Sequence, residues 1–156
     1  MRTKRILTGF IALSLSCGVL ASEIEIITGD HIPALGPYVP ATVADNVVYT
    51  SGQIAFDAQA GKIVGDDVRT QTRQALKNLS AVLEAAGSSL EHTLRVTVYL
   101  QNPEDFPAMN EVYGEVFSNH KPARTTVPGV QWGKGVLVEI DAIALRSDQG
   151  NNDDDT

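Results

Sequence analysis

Residues 136–145, Val136-Leu137-Val138-Glu139-Ile140-Asp141-Ala142-Ile143-Ala144-Leu145, constrain this chain's fold more than any other segment. Side chains of a β-strand alternate between its two faces. One face would carry Val136, Val138, Ile140, Ala142 and Ala144, and the other Leu137, Glu139, Asp141, Ile143 and Leu145. Both faces are mostly apolar, so both need cover from water.

The rest of the chain supplies cover for one of them. Apolar residues at 68, 75, 76, 79, 82, 83 and 86 follow helical spacing, opened by Asp66 and Asp67 and closed by Gly87. A second helix starts at Asn102 as cap, with Pro103 at its first position and Glu104 and Asp105 in its first turn. Its predicted buried face is Phe106, Met109, Val112, Tyr113, Val116 and Phe117. Strands are expected over 46–51, after the turn-prone Asp45-Asn46, and over 95–100, 123–127 and 135–145. The order β-β-α-β-α-β-β implies an α+β domain whose sheet carries two helices on one face. The second apolar face of 136–145 is then left for a partner subunit.

The chain ends read differently. Residues 1–21 have the order of a secretory signal: basic Arg2, Lys4 and Arg5, an apolar stretch from Ile6 to Leu15, then small residues with Val19 and Ala21 where a signal peptidase reads. The stretch falls short of the roughly 20 residues of a membrane span. Cleavage after Ala21 sends the protein to the periplasm or the exterior and leaves no membrane segment. Lipidation at Cys17 is the competing reading. Cleavage discards Cys17, the only cysteine, so the mature domain over 22–146 has no disulfide and no thiol nucleophile. Residues 147–156 are polar and acidic and read as a disordered solubilising tail; Asp153, Asp154 and Asp155 lack the spaced ligand loop of a calcium site. Loss of Arg2, Lys4 and Arg5 from a chain with 12 basic and 19 acidic residues leaves a net charge of −10. Such a surface repels phosphate backbones, and nucleic acid is not an expected partner.

Few residues carry chemistry. Glu139 and Asp141 share one face of a mostly apolar strand, where a carboxylate is costly unless paired. They read either as a structural ion pair at a subunit interface or as a general base. Arg124 lies in a short strand after Pro122 and Ala123. It is either an exposed or ion-paired arginine or a planar fork for a carboxylate. Together, Arg124 and a carboxylate on neighbouring β-segments could hold a small carboxylic acid and a water. His31, His92 and His120 fall in separate loops or element ends and form no metal set. Gly133-Lys134-Gly135 lacks the helix of a phosphate loop, and the sequon at Asn78 sits within a predicted helix.

Eight segments follow in register over 36–145: Gly36-Pro37-Tyr38, Ser51-Gly52-Gln53-Ile54, Gln71-Thr72-Arg73-Gln74 with Asn78-Leu79, Glu84-Ala85-Ala86-Gly87, Thr97-Val98-Tyr99-Leu100, Phe106-Pro107-Ala108-Met109-Asn110, Pro122-Ala123-Arg124 and Val138-Glu139-Ile140. Together they resemble the RidA/YjgF family of reactive-intermediate deaminases. The resemblance implies a chorismate-mutase-like α+β fold, a mixed sheet with two helices on one face, assembled as a homotrimer with sites between subunits. It implies hydrolysis of 2-imino acids such as 2-iminopropanoate and 2-iminobutanoate to the 2-keto acid and ammonia, with no cofactor and no metal. By position, Arg124 would take the substrate carboxylate and Glu139 would orient the water. Tyr38 and Asn110 would line the pocket, and the backbone around Thr126 would contact the imine nitrogen. Thr126 stands where close relatives have cysteine, and Pro128-Gly129 and Gln131-Trp132-Gly133 depart from the family's usual segment. The alternatives are a non-catalytic trimer that binds small carboxylates, and a chaperone-like or ribonuclease role. The acidic surface and lack of a histidine pair argue against the ribonuclease.

Overall fold

The computed structural model describes residues 23–133 and 135–147. The predicted signal, Cys17 and the tail beyond Ser147 lie outside the described residues. Six short strands precede the first helix, where the sequence suggests two. Strands β1 (Ile24–Ile27), β2 (Ala41–Ala44) and β3 (Val47–Thr50) form an antiparallel meander. The β2–β3 turn uses Asp45 at φ 53°, a left-handed conformation that a short polar side chain tolerates. Strand β4 (Gln53–Ile54) follows, and then the small hairpin of β5 (Phe56–Asp57) and β6 (Lys62–Ile63).

Helix α1 (Val68–Ala85) starts where predicted: the Asp67 side chain accepts the Thr70 N–H at 3.0 Å, and Gly87 follows the helix at φ 74°. Strand β7 (Thr93–Leu100) leads through a 3-10 turn, Pro103–Asp105, into helix α2 (Phe106–Val116). The predicted second helix thus divides at Phe106. Asn102 spends its side-chain amide on Asp105 Oδ2, at 3.0 Å, rather than on a backbone cap. Met109, Val112, Tyr113 and Phe117 are buried as predicted, but Phe106 and Val116 are exposed. Phe106 is the first residue of α2 and Val116 the last, at the two ends of the apolar stripe.

Strands β8 (Ala123–Pro128) and β9 (Val138–Leu145) complete the sheet. Its order is β1-β2-β3-β9-β7-β8, with β4 also paired to β9. Only β7 and β8 are parallel among these pairs, so the sheet is mixed. Strand β9 begins at Val138, not at residue 135. Gly135 sits at φ 89°, and the Leu137 N–H is taken by the buried Gln71 side chain at 2.9 Å. Val96, Val98 and Leu100 of β7 and Val138, Ile140 and Ala142 of β9 are fully buried beneath α1 and α2. The opposite face is half open: Ile24, Ile26, Tyr49 and Leu145 remain exposed, and Glu139, Asp141 and Ile143 are half-buried. Among the described residues no helix is long and apolar enough to cross a membrane.

Candidate functional site

Register separates the two residues expected to act together. Arg124 on β8 pairs with Val96, which pairs with Ala142, and both partners point into the helix-covered core. Glu139 pairs with Tyr99 and points to the open face. Strands β8 and β9 are not neighbours; β7 lies between them. Arg124 and Glu139 therefore occupy opposite faces of the sheet within one chain.

Around Arg124 the chain builds an anion-ready end. Its guanidinium lies 4.5 Å from the centroid of the Tyr113 ring and 5.8 Å from that of Phe106. Nη2 donates to Asn110 Oδ1 at 2.8 Å. Asn110, Phe106 and Tyr113 all come from α2, so one helix orients the planar fork. No carboxylate of the described residues pairs with Arg124. Thr126 lies two residues along the same face of β8, in register with Val98. Burial pushes the Tyr113 phenol up to about 12, only partly offset by the Arg124 charge.

Glu139 belongs to a second cluster. It lines a cavity of about 420 Å³ together with Tyr38, Ser51, Gly52 and Gln53. Glycine at 52 is required for this approach, because a Cβ there would overlap the Glu139 side chain. Burial raises the Glu139 carboxyl above the usual glutamate range, and the neighbouring Asp141 charge adds to the rise. A hydrogen bond from the Trp132 indole offsets part of it. Tyr99 beside them is raised too, by burial first and then by the Asp141 charge. Trp132 lies in the loop between β8 and β9, so that loop supplies a partner to Glu139.

Tyr38 and Glu139 are thus brought together, as are Arg124, Asn110 and Thr126, but the two groups are apart. Sequence reading missed Gly52 and Trp132 as partners of Glu139 and took Tyr113 for core alone. For Gly52 the signal was its place in the Ser51-Gly52-Gln53-Ile54 segment. Two of the histidines join neither group: His92 Nδ1 lies 2.9 Å from Ser89 Oγ, and His120 Nε2 lies 2.6 Å from the Thr93 carbonyl. His31 lines the Glu139 cavity. No cluster of three or more metal-ligating side chains occurs among the described residues.

The family model described as endoribonuclease L-PSP matches residues 28–146. A RutC family protein of Pyrococcus horikoshii is 47% identical over 123 residues, covering 78% of this chain and 98% of that protein. The 2-iminobutanoate/2-iminopropanoate deaminase of Homo sapiens is 37% identical over 113 residues, covering 72% and 82%. Among solved structures, Escherichia coli TdcF with bound serine superposes with a TM-score of 0.73 at 39% identity, covering 79% of this chain and 99% of that one. The family match runs through both residue clusters, and the chain belongs to the endoribonuclease L-PSP family, also called RidA/YjgF.

Proposed function

We propose that the protein hydrolyses 2-imino acids to 2-keto acids and ammonia, at a site that two copies of the chain complete. The observation that carries this reading is the pair of half-sites. One is an arginine fork oriented by Asn110 and Tyr113 without a carboxylate partner; the other is a glutamate held over Gly52 in a cavity. The exposed apolar residues Ile24, Ile26, Tyr49 and Leu145 on the open face favour a homotrimer, the assembly the family resemblance implies. A neighbouring copy would then bring its Arg124 to this chain's Glu139 cavity.

Arg124 binds the substrate carboxylate through two N–H groups. Glu139 takes a proton from water as its oxygen adds to the imine carbon, and the imine nitrogen takes up a proton from solvent; Glu139 then returns its proton to the amine nitrogen while the carbinolamine hydroxyl gives its own to solvent. The carbinolamine then loses ammonia, the C–N bond breaks and the carbonyl forms. The imine is already electrophilic, so orientation and proton management suffice and no cofactor is invoked. Tyr38 lines the cavity beside Glu139, and the backbone at Thr126 is assigned to the imine nitrogen. The deaminase names of relatives near 37% identity support the reading. The bound serine of TdcF favours a second one, a carboxylate-binding module without turnover. The predicted signal adds export as part of the proposal.

The test generates 2-iminopropanoate in situ and follows its loss. Acceleration that Arg124→Ala abolishes is the expected result. Saturable binding of pyruvate without acceleration selects the binding module. RNA degradation abolished by Glu139→Ala, with no effect on the imine, would restore the ribonuclease.

A further inference from the structure

Hydrolysis of an imine moves more protons than Glu139 carries. One goes onto the imine nitrogen, and another leaves the carbinolamine hydroxyl. A neighbouring copy seated over the open face shuts bulk water away from both steps. A group in the wall that can give the first proton and take the second therefore has a use, and His31 lines the same cavity as Glu139.

The chain pins that ring in place. Residues 29–32 form a turn closed by the Ile32 N–H, which donates to the Gly29 carbonyl at 3.1 Å. Ile32 is buried in the core, so His31 stands beside an anchor rather than on a free loop. Its imidazole makes no side-chain hydrogen bond or ion pair among the described residues. Other polar side chains of the lining are engaged. Ser51 Oγ donates to the Val39 carbonyl at 2.7 Å, and Gln53 Nε2 to the Ser51 carbonyl at 3.1 Å. Asn78 Nδ2 donates to the carbonyls of Ile54 at 2.9 Å and Phe56 at 2.8 Å. Tyr38 carries a phenol, and phenols are weak acids near neutral pH, where an imidazole both gives and takes protons.

We propose that His31 is a catalytic residue of the imine hydrolysis, giving a proton to the imine nitrogen and later taking one from the carbinolamine hydroxyl. The inference rests on the deaminase reading and adds a residue to that site. The substrate sits between the two side chains, its carbon toward Glu139 and its nitrogen toward His31. As Glu139 takes a proton from water and the C–O bond forms, the imidazolium of His31 protonates the imine nitrogen. Glu139 then gives its proton to the amine nitrogen, the C–N bond breaks, and ammonia leaves with the bonding pair. The neutral imidazole takes the hydroxyl proton as the carbonyl forms, so both side chains end as they began.

Loss of 2-iminopropanoate generated in situ, followed with the full chain and its His31→Ala variant, tests the assignment. The ring is exposed on one chain, so its truncation spares the core. A fall in kcat of about 100-fold with KM little changed is expected, because the proton transfers belong to the transition state. Added imidazole should restore much of the lost rate, measured above an enzyme-free control; a disturbed loop is not repaired that way. His31→Asn, which keeps a turn-forming side chain, should lose as much as His31→Ala, while Asp30→Ala in the same turn should keep the unaltered kcat. Undiminished turnover by His31→Ala overturns the assignment, as does a loss that imidazole leaves unrepaired or that Asp30→Ala shares. Each of these leaves the deaminase reading standing. No hydrolysis by the unaltered chain removes that reading and the assignment together.

Discussion

The Cα of Gly52 lies so close to Glu139 that a methyl group at residue 52 would stand 1.8 Å from Glu139 Oε1 and 2.6 Å from its Cδ. Glycine here fixes where a carboxylate can rest. Gly52→Ala is expected to push that carboxylate aside while the fold adapts, because the atoms displaced are the mobile end of a side chain. Imine hydrolysis should fall about 100-fold, since misplacement by an ångström costs that much. Thermal melting should report a loss of only about 1–2 kcal/mol. Undiminished turnover would remove Glu139 from the chemistry.

A raised carboxyl at Glu139 sets the acid limb of the rate profile. Water activation needs the carboxylate, so activity is lost as pH falls through a value above the ordinary glutamate range. Asp141→Asn removes the neighbouring charge and should move the limb down. Trp132→Phe removes a hydrogen bond to the carboxylate and should move it up. The stability effect has the opposite sense to a salt-bridged carboxylate. Between the ordinary and the raised value the folded chain holds a proton that the unfolded chain has released, so this contribution to stability is lost as pH rises. Profiles of kcat/KM for the three proteins check the order.

Because Arg124 and Glu139 lie on opposite faces of one sheet, two inactive variants should rescue each other. Arg124→Ala and Glu139→Ala chains, unfolded and reassembled together at equal amounts, bring an intact arginine and an intact glutamate into about a quarter of the interfaces. About a quarter of wild-type activity is expected in the mixture and almost none in either variant. No recovery from properly assembled mixtures would place the site within one chain.

Gln71 is 1% exposed and makes three bonds to backbone: Nε2 to the carbonyls of Gly65 at 2.9 Å and Gly135 at 2.7 Å, and Oε1 from the Leu137 N–H. It ties the turn before β9 to α1. Gln71→Ala should cost about 2–4 kcal/mol in denaturant unfolding, from lost bonds and a cavity. Gln71→Met keeps the volume and should recover only the packing share. Full recovery by methionine would show that the hydrogen bonds contribute nothing net.

Much of the fold could be read along the chain because its signals are local. Asp67 caps α1 with its own side chain, Gly87 takes the left-handed turn after it, and β9 and the part of β7 from Arg95 onward alternate as their residues require. Local signals failed where distant groups compete. Residues 135–137 looked like strand, yet Gln71, more than sixty positions away, takes the Leu137 N–H and delays the ladder to Val138. Phe106 and Val116 have helical spacing but fall beyond the stripe that α1 and the sheet cover.

The sequence by itself determined that 136–145 has two apolar faces, that Arg124 and Glu139 are the charged groups worth weighing, and that residues 36–145 resemble one family. Periodicity and residue chemistry suffice for those. Only the tertiary structure decided that β7 separates β8 from β9 and turns Arg124 and Glu139 to opposite sides. It also decided that Gly52 and Trp132 position the glutamate while Asn110 and Tyr113 position the arginine. Strand order and register depend on which distant segments pair, and no local pattern encodes that pairing.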